Sequence, residues 1–148
     1  KAAHAHKGAA FIEIFQNCVI FNNGVFDDVT DREHRIEKTI TLEHGQKMLF
    51  GRDNEKGLSL KAGHFEVVNA ATNGDEVSVF NENDPAFLHA FIHAEHNPEI
   101  PVAMGVLYAE SRPVYEADIE RQVAAVTEKK GPGDLKKLLY SGEIWEIK

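Results

Sequence analysis

The chain has 148 residues, of which 43% are hydrophobic and 27% charged, values typical of one globular domain. Its formal net charge of −8 argues against a nucleic-acid partner, since phosphate binding requires clustered Lys and Arg side chains. No apolar run approaches the ~20 residues that span a bilayer, so no membrane partner is expected. A single cysteine excludes an internal disulfide framework and favours the reducing cytoplasm.

The first residues predict the end of a helix that leads into a strand. Residues 1–7 read as a helix tail closed by Gly8, and the chain begins with Lys rather than Met. Residues 9–22, AAFIEIFQNCVIFN, form the most apolar run and stop at an Asn-Asn-Gly turn. Apolar side chains on both parities predict a central parallel strand, buried on both faces. We therefore expect a C-terminal piece that starts inside a larger α/β domain.

The remaining elements follow from caps, turns and periodicity. A surface helix is predicted over residues 27–38, with β character at residues 39–42. Residues 48–51 and 58–60 predict a hairpin, and residues 65–68, 77–80 and 102–108 predict strands. Asp84 and Pro85 predict a helix start that continues to about residue 96. Further helices are predicted over residues 115–130 and, capped by Asp134, over 135–140, and residues 143–147 suggest an edge strand.

Cys18 is the first candidate for chemistry. At the C-terminal end of a parallel strand its thiol would lie where α/β sheets bind ligands. A lone cysteine in an apolar run is, however, most often a buried small hydrophobe. A nucleophile needs a neighbouring base, which the sequence does not identify. The residues alone leave open whether Cys18 is a functional thiol or a buried core residue.

Two further patterns have simpler explanations. His89, His93 and His96 fall on one helix face at spacings that suit zinc, although a solvated face explains them equally well. Asn73-Gly74-Asp75 lacks the second glycine of a thiamine-diphosphate motif and is interpreted as a turn.

The segment HKGAAFIEIFQNCVIFN at residues 6–22 resembles the β subunit of 2-oxoacid:ferredoxin oxidoreductases, most closely the 2-oxoglutarate branch. Weaker matches follow in the same order: LEHGQ at 42–46, FG at 50–51, RPVY at 112–115 and GPGDL at 131–135. The resemblance therefore extends over nearly the whole chain.

The resemblance implies an enzyme that decarboxylates a 2-oxoacid to an acyl-CoA with thiamine diphosphate and Mg²⁺, and passes electrons through a [4Fe–4S] cluster to ferredoxin. Cys18 matches the family's fourth cluster ligand, and Gln16, Asn17 and Asn22 are candidates to orient the loop or donate to cluster sulfurs. The other three cysteines and the cofactor motif are expected before Lys1. We expect the chain alone to be inactive and to bind no cluster.

The implied fold is the C-terminal end of a parallel-sheet thiamine-diphosphate-binding domain (residues 1–26), followed by a smaller α+β extension with a hairpin (residues 27–148). The implied partners are the α subunit, ferredoxin, the 2-oxoacid and CoA. Two alternatives remain. One is a stand-alone acidic α/β interaction module with Cys18 in its core, and the other is a small zinc protein using the three histidines.

Overall fold

The computed structural model describes residues 1–94, 97–145 and 147 of the chain. Its helices are α1 (Ala2–Ala5), α2 (Asp27–Thr30), α3 (Arg35–Lys38), α4 (Pro85–Ala94), α5 (Tyr115–Lys130) and α6 (Leu135–Leu139), with a 3₁₀ turn at Gly74–Glu76. Its strands are β1 (Thr39–Leu42), β2 (Leu49–Phe50), β3 (Lys56–Lys61), β4 (His64–Asn69) and β5 (Val102–Gly105). The predicted mixed α/β class is confirmed.

The chain divides into two compact units. The first contains Lys1–His4 and Phe11–Glu110, and the second contains Ala5–Ala10 and Ser111–Lys148. The strands and α2 to α4 therefore belong to the first unit, and α5 and α6 to the second.

An antiparallel sheet in the order β2-β3-β4 dominates the first unit. Strands β3 and β4 are joined by Ala62 and Gly63, whose φ angles of 50° and 83° are those of a tight two-residue hairpin turn. The turn sets the register, with Lys61 opposite His64 and Lys56 opposite Asn69. The hairpin predicted from residues 48–51 and 58–60 is confirmed by the antiparallel pairing of β2 with β3, in which Leu49 lies opposite Gly57. The strand predicted at 65–68 is confirmed within β4.

A second, parallel pair joins two distant parts of the first unit. Strand β1 pairs with β5, Thr39 opposite Val102 and Leu42 opposite Gly105. Ile40 and Leu42 point inward and are buried, while Thr41 between them is exposed, so β1 has the alternation of a half-buried strand. Strand β5 is half-buried and ends at Gly105, earlier than predicted.

The core of the first unit lies between the antiparallel sheet, the segment that follows the 3₁₀ turn, and α4. Its most deeply buried large side chains are Ile40, Met48, Leu58 and Phe80. The Phe80 ring meets the Phe87 ring edge to face at 5.3 Å, which attaches α4 to this core. Helix α4 begins as predicted, because the Asp84 carboxylate accepts the Ala86 N–H at 2.9 Å.

The helices of the second unit agree with the sequence predictions. Helix α5 has the predicted bounds and ends at Gly131, whose φ of 79° lies in the left-handed region. The Asp134 carboxylate accepts the Lys137 N–H at 3.1 Å and caps α6. Every residue of α5 is exposed, including the predicted apolar stripe of Ile119, Val123 and Val126.

The prediction of a buried central strand over residues 9–22 is wrong. Among the described residues, this segment joins no strand, and the Phe11 side chain is 93% exposed. A central parallel strand requires hydrogen-bonded neighbours, and within the described residues the parallel pairing is between β1 and β5. The assignment of residues 1–26 and 27–148 to separate domains stays a prediction.

Three smaller predictions need correction. Residues 77–80 form no regular strand in the described part of the chain, although they make an isolated bridge between Lys47 and Val79. The helix predicted over residues 27–38 is split into α2 and α3 by a turn in which the Asp31 carboxylate accepts the Glu33 N–H. The described residues of the tail, 143–145 and 147, are in no strand, because no strand pairs with them.

Candidate functional site

Cys18 lies at the start of a short turn in the first unit, and its side chain is exposed. Its carbonyl accepts the backbone N–H of Asn22 at 2.9 Å, and the two residues form an isolated antiparallel bridge. The interpretation of Cys18 as a core residue is therefore wrong, because the apolar run around it is itself exposed. The prediction that Cys18 lies at the C-terminal end of a strand is wrong as well, since the first strand of the described residues is β1 at Thr39–Leu42.

The turn from Cys18 to Asn22 favours the ionised form of the thiol. The backbone N–H of Phe21, then that of Ile20 and to a smaller extent that of Asn22, lower the pKa of the Cys18 thiol, and a slight loss of hydration opposes them. Donors that point at sulfur stabilise the thiolate, which is the form that binds metal or attacks an electrophile. The geometry therefore presents an accessible sulfur prepared for either kind of chemistry.

Asn17 connects this turn to the start of α2. Its side-chain oxygen accepts the Phe26 N–H at 2.9 Å, and its amide nitrogen donates to the Asp27 carboxylate at 2.8 Å. The rings of Phe15 and Phe26 meet edge to face at 5.1 Å beside these bonds. Asn17 is half-buried while Cys18 is exposed, so a fixed residue directly precedes the reactive one.

The structure thus brings together most of the predicted site residues. Asn22 lies in the turn with Cys18, and it takes part through its backbone N–H. Gln16 is exposed and lies two positions before Cys18 in the chain. Asp27 is the residue that sequence reasoning missed. Residues ten positions apart contact each other in neither a regular helix nor a regular strand, so no sequence signal indicates the pair of Asn17 and Asp27.

The predicted histidine cluster is only partly visible. His89 and His93 are exposed on α4, and His96 lies outside the described residues. The His93 ring is 6.2 Å from the ring of His64 at the start of β4. Among residues 1–94, 97–145 and 147, no three His, Cys, Asp or Glu side chains are grouped to hold a metal ion.

Asn73-Gly74-Asp75 is confirmed as a turn. It forms the 3₁₀ segment Gly74–Glu76, and the Asn73 amide donates to the Glu76 carboxylate at 2.7 Å. These bonds are local, as expected for a turn.

The chemistry of Cys18 fits one ligand of an iron–sulfur cluster. Cluster iron binds thiolates, and hydrogen bonds to the cysteine sulfurs tune the reduction potential of the cluster. A [4Fe–4S] cluster takes four thiolates, and this sequence contains one cysteine, so the chain could supply one of the four ligands and no more. The helices of the described residues are all too short or too polar to span a bilayer.

The fold and the site define a mixed α/β chain that presents one exposed thiol with a lowered pKa. The chain is 31% identical, over 152 aligned positions, to the 2-oxoglutarate oxidoreductase subunit KorB of Mycobacterium tuberculosis (strain ATCC 25618 / H37Rv). The alignment covers 99% of this chain and 40% of that protein. This similarity confirms the resemblance to 2-oxoglutarate oxidoreductase subunits. No family model and no solved structure matches the chain.

Proposed function

We propose that the chain is part of the β subunit of a 2-oxoacid:ferredoxin oxidoreductase, with 2-oxoglutarate as the favoured substrate. The proposal is supported by similarity to a subunit of a 2-oxoglutarate oxidoreductase along almost all of this chain. The observation that carries it is the exposed Cys18 thiol, whose pKa is lowered by the backbone N–H groups of Phe21 and Ile20. A thiol of this kind is suited to bind iron rather than to fill a core.

In this proposal Cys18 donates its thiolate to a [4Fe–4S] cluster whose other ligands lie outside this chain. Thiamine diphosphate with Mg²⁺ would supply the decarboxylation chemistry, and the cluster would carry single electrons to ferredoxin. The backbone N–H groups of Phe21 and Ile20, which lower the pKa of the Cys18 thiol, would favour the thiolate that iron binds. Asn17 holds the peptide that enters the turn. Gln16 and Asn22 stay candidates for polar contacts around the sulfur.

The proposed partners are the α subunit, ferredoxin, the 2-oxoacid and CoA, in the cytoplasm. Large apolar side chains support a protein partner on the second unit, because Leu135, Leu138 and Trp145 are all exposed. An independent interaction module is the second candidate function, and the same exposed side chains favour it. The two differ in iron chemistry, since an interaction module requires no cluster.

Iron analysis and ferredoxin reduction test the proposal. We expect the complete enzyme to hold stoichiometric iron and to reduce ferredoxin with 2-oxoglutarate and CoA. We expect the 148-residue chain alone to hold no cluster and to be inactive, since one thiolate cannot complete a four-ligand site. Stoichiometric iron with turnover in the isolated chain would contradict this division of ligands, and an iron-free complete enzyme would favour the interaction module.

A further inference from the structure

Polar and aromatic contacts close the loop that carries Cys18. On one side Phe15 and Asn17 lie just before the cysteine, and on the other Phe26 and Asp27 lie at the start of α2. The Asn17 side chain donates one hydrogen bond to the Asp27 carboxylate and accepts one from the Phe26 N–H, and an edge-to-face ring contact between Phe15 and Phe26 adds a third connection. The segments before and after the turn of Cys18 are therefore connected to each other, although the turn itself is exposed.

Asp27 is itself fixed by its surroundings. Its backbone N–H donates to the Gly24 carbonyl at 3.1 Å, and Gly24 has a φ of 78°, in the left-handed region that glycine favours. A Cβ at position 24 would lie 2.9 Å from an oxygen of the Asp27 carboxylate, so that carboxylate packs closely against the glycine. The Asp27 carboxylate, which accepts the hydrogen bond of Asn17, is thus held in place by the backbone between Gly24 and Asp27.

We infer that Asp27 is a positioning residue that acts through Asn17 to hold the turn of Cys18. Asn17 directly precedes Cys18, so the Asn17–Asp27 hydrogen bond limits rotation of the peptide that leads into the turn. The turn is closed by the hydrogen bond from the Asn22 N–H to the Cys18 carbonyl at 2.9 Å. This closure keeps close to the thiol the backbone N–H groups of Ile20 and Phe21, which lower its pKa. The inference rests on the proposed function in one respect, which is that the sulfur so presented is an iron ligand.

Four variants separate the hydrogen bond from the charge of Asp27. Asp27→Ala removes the acceptor, and Asn17→Asp places two carboxylates against each other. Asp27→Asn removes the charge but keeps an oxygen that accepts from Asn17. The exchange Asn17→Asp with Asp27→Asn reverses donor and acceptor and restores the bond, while residue 17 still accepts the Phe26 N–H. Asp28→Ala removes a neighbouring carboxylate and is the matched control.

The intact 148-residue chain provides a direct readout, because Cys18 is its only thiol. We expect Asp27→Ala and Asn17→Asp to accelerate exchange of the Asn22 amide and to slow alkylation of Cys18 by iodoacetamide at fixed pH, each by about two- to fivefold. Asp27→Asn, the exchanged pair and Asp28→Ala are expected to stay close to wild type. Wild-type rates in both disrupting variants, or failure of the exchanged pair to restore them, would overturn the inference.

The complete enzyme then tests whether this position matters for the cluster. We expect Asp27→Ala to lower the midpoint potential of the cluster, since N–H donors to sulfur favour the reduced form, and the exchanged pair to return it. An unchanged midpoint potential in Asp27→Ala would overturn the inference that Asp27 affects the cluster. Loss of the alkylation effect contradicts the positioning itself, whereas a cluster that survives removal of the Cys18 thiol contradicts the proposed function, so the two failures are distinguishable.

Discussion

Gly57, in the middle of the antiparallel sheet, leaves no room for a side chain. It is buried in β3 between Leu49 of β2 and Val68 of β4. A Cβ built there would lie 2.4 Å from Cγ2 of Val77 and 3.0 Å from its Cγ1. Ordinary carbon–carbon contacts lie at about 3.5–4.0 Å, so Gly57→Ala requires a shift of about 1 Å in a buried region.

We predict that Gly57→Ala lowers the free energy of unfolding by about 1–3 kcal/mol, the usual cost of overpacking a core. The overlap is with Val77, which is 4% exposed and has little space to move. Val77→Ala removes both clashing methyl groups. The double variant is therefore expected to be more stable than the sum of the single effects by about 1 kcal/mol.

Urea unfolding followed by circular dichroism measures this effect, with an unchanged slope showing that stability alone has changed. Gly74→Ala is the matched control, because nothing lies within 4 Å of a Cβ at that position and its φ is not positive. It is expected to be neutral or to stabilise by up to about 1 kcal/mol through the unfolded state. A Gly57→Ala variant as stable as wild type, or additive behaviour with Val77→Ala, would refute the packing described for β3.

Two further predictions concern the first unit. Phe80 is 1% exposed, so Phe80→Ala is expected to lower the free energy of unfolding in urea by about 3–5 kcal/mol. Ile92 is 58% exposed, and Ile92→Ala is expected to lower it by less than about 0.5 kcal/mol. Similar losses of stability in the two variants would contradict the assignment of the core. Lys61, at 2.7 Å, lowers the pKa of the Glu76 carboxyl below its ordinary value of 4.5. Since the folded pKa is depressed, this pair stabilises above the unfolded pKa and its contribution is lost as the pH falls through the folded value. Lys61→Gln should therefore flatten the loss of stability below about pH 4.5, and an unchanged acid limb in pH-dependent unfolding would contradict the pairing.

Local signals predicted the elements that local chemistry determines. The capping carboxylates of Asp84 and Asp134 and the positive φ of Gly131 delimit the helices that the sequence indicated. The polar residues between the apolar runs at 48–51 and 58–60 similarly explain why the hairpin of β2 and β3 was predictable. Each of these features is encoded within a few residues of its effect.

Pairing between distant segments was not predictable in the same way. An apolar run such as residues 9–22 has the composition of a buried strand, but a strand forms only where a neighbour supplies hydrogen bonds. The parallel pair of Thr39 with Val102 depends on a crossover between distant segments, for which no local pattern exists. Composition therefore indicated burial where the described structure shows exposure.

In the candidate site, too, the local features were predictable and the contact between distant residues was not. The resemblance singled out Gln16, Asn17, Cys18 and Asn22. The structure places Cys18 and Asn22 in one turn, and Asn17 directly precedes it. The carboxylate of Asp27 enters only because the chain reverses at Gly24, and that contact is set by tertiary geometry. Sequence reasoning thus singled out Cys18 as a candidate but did not indicate the contact between Asn17 and Asp27.

The most direct test of the central claim is Cys18→Ser in the complete enzyme, with iron content and the EPR spectrum of the reduced cluster as readouts. Val19→Ala, which changes the exposed neighbour and keeps the thiol, is the control. If Cys18 is a cluster ligand, Cys18→Ser loses or markedly alters the four-iron signal and ferredoxin reduction, while Val19→Ala retains both. An unchanged signal with full iron content in Cys18→Ser would contradict the assignment of Cys18 as a ligand.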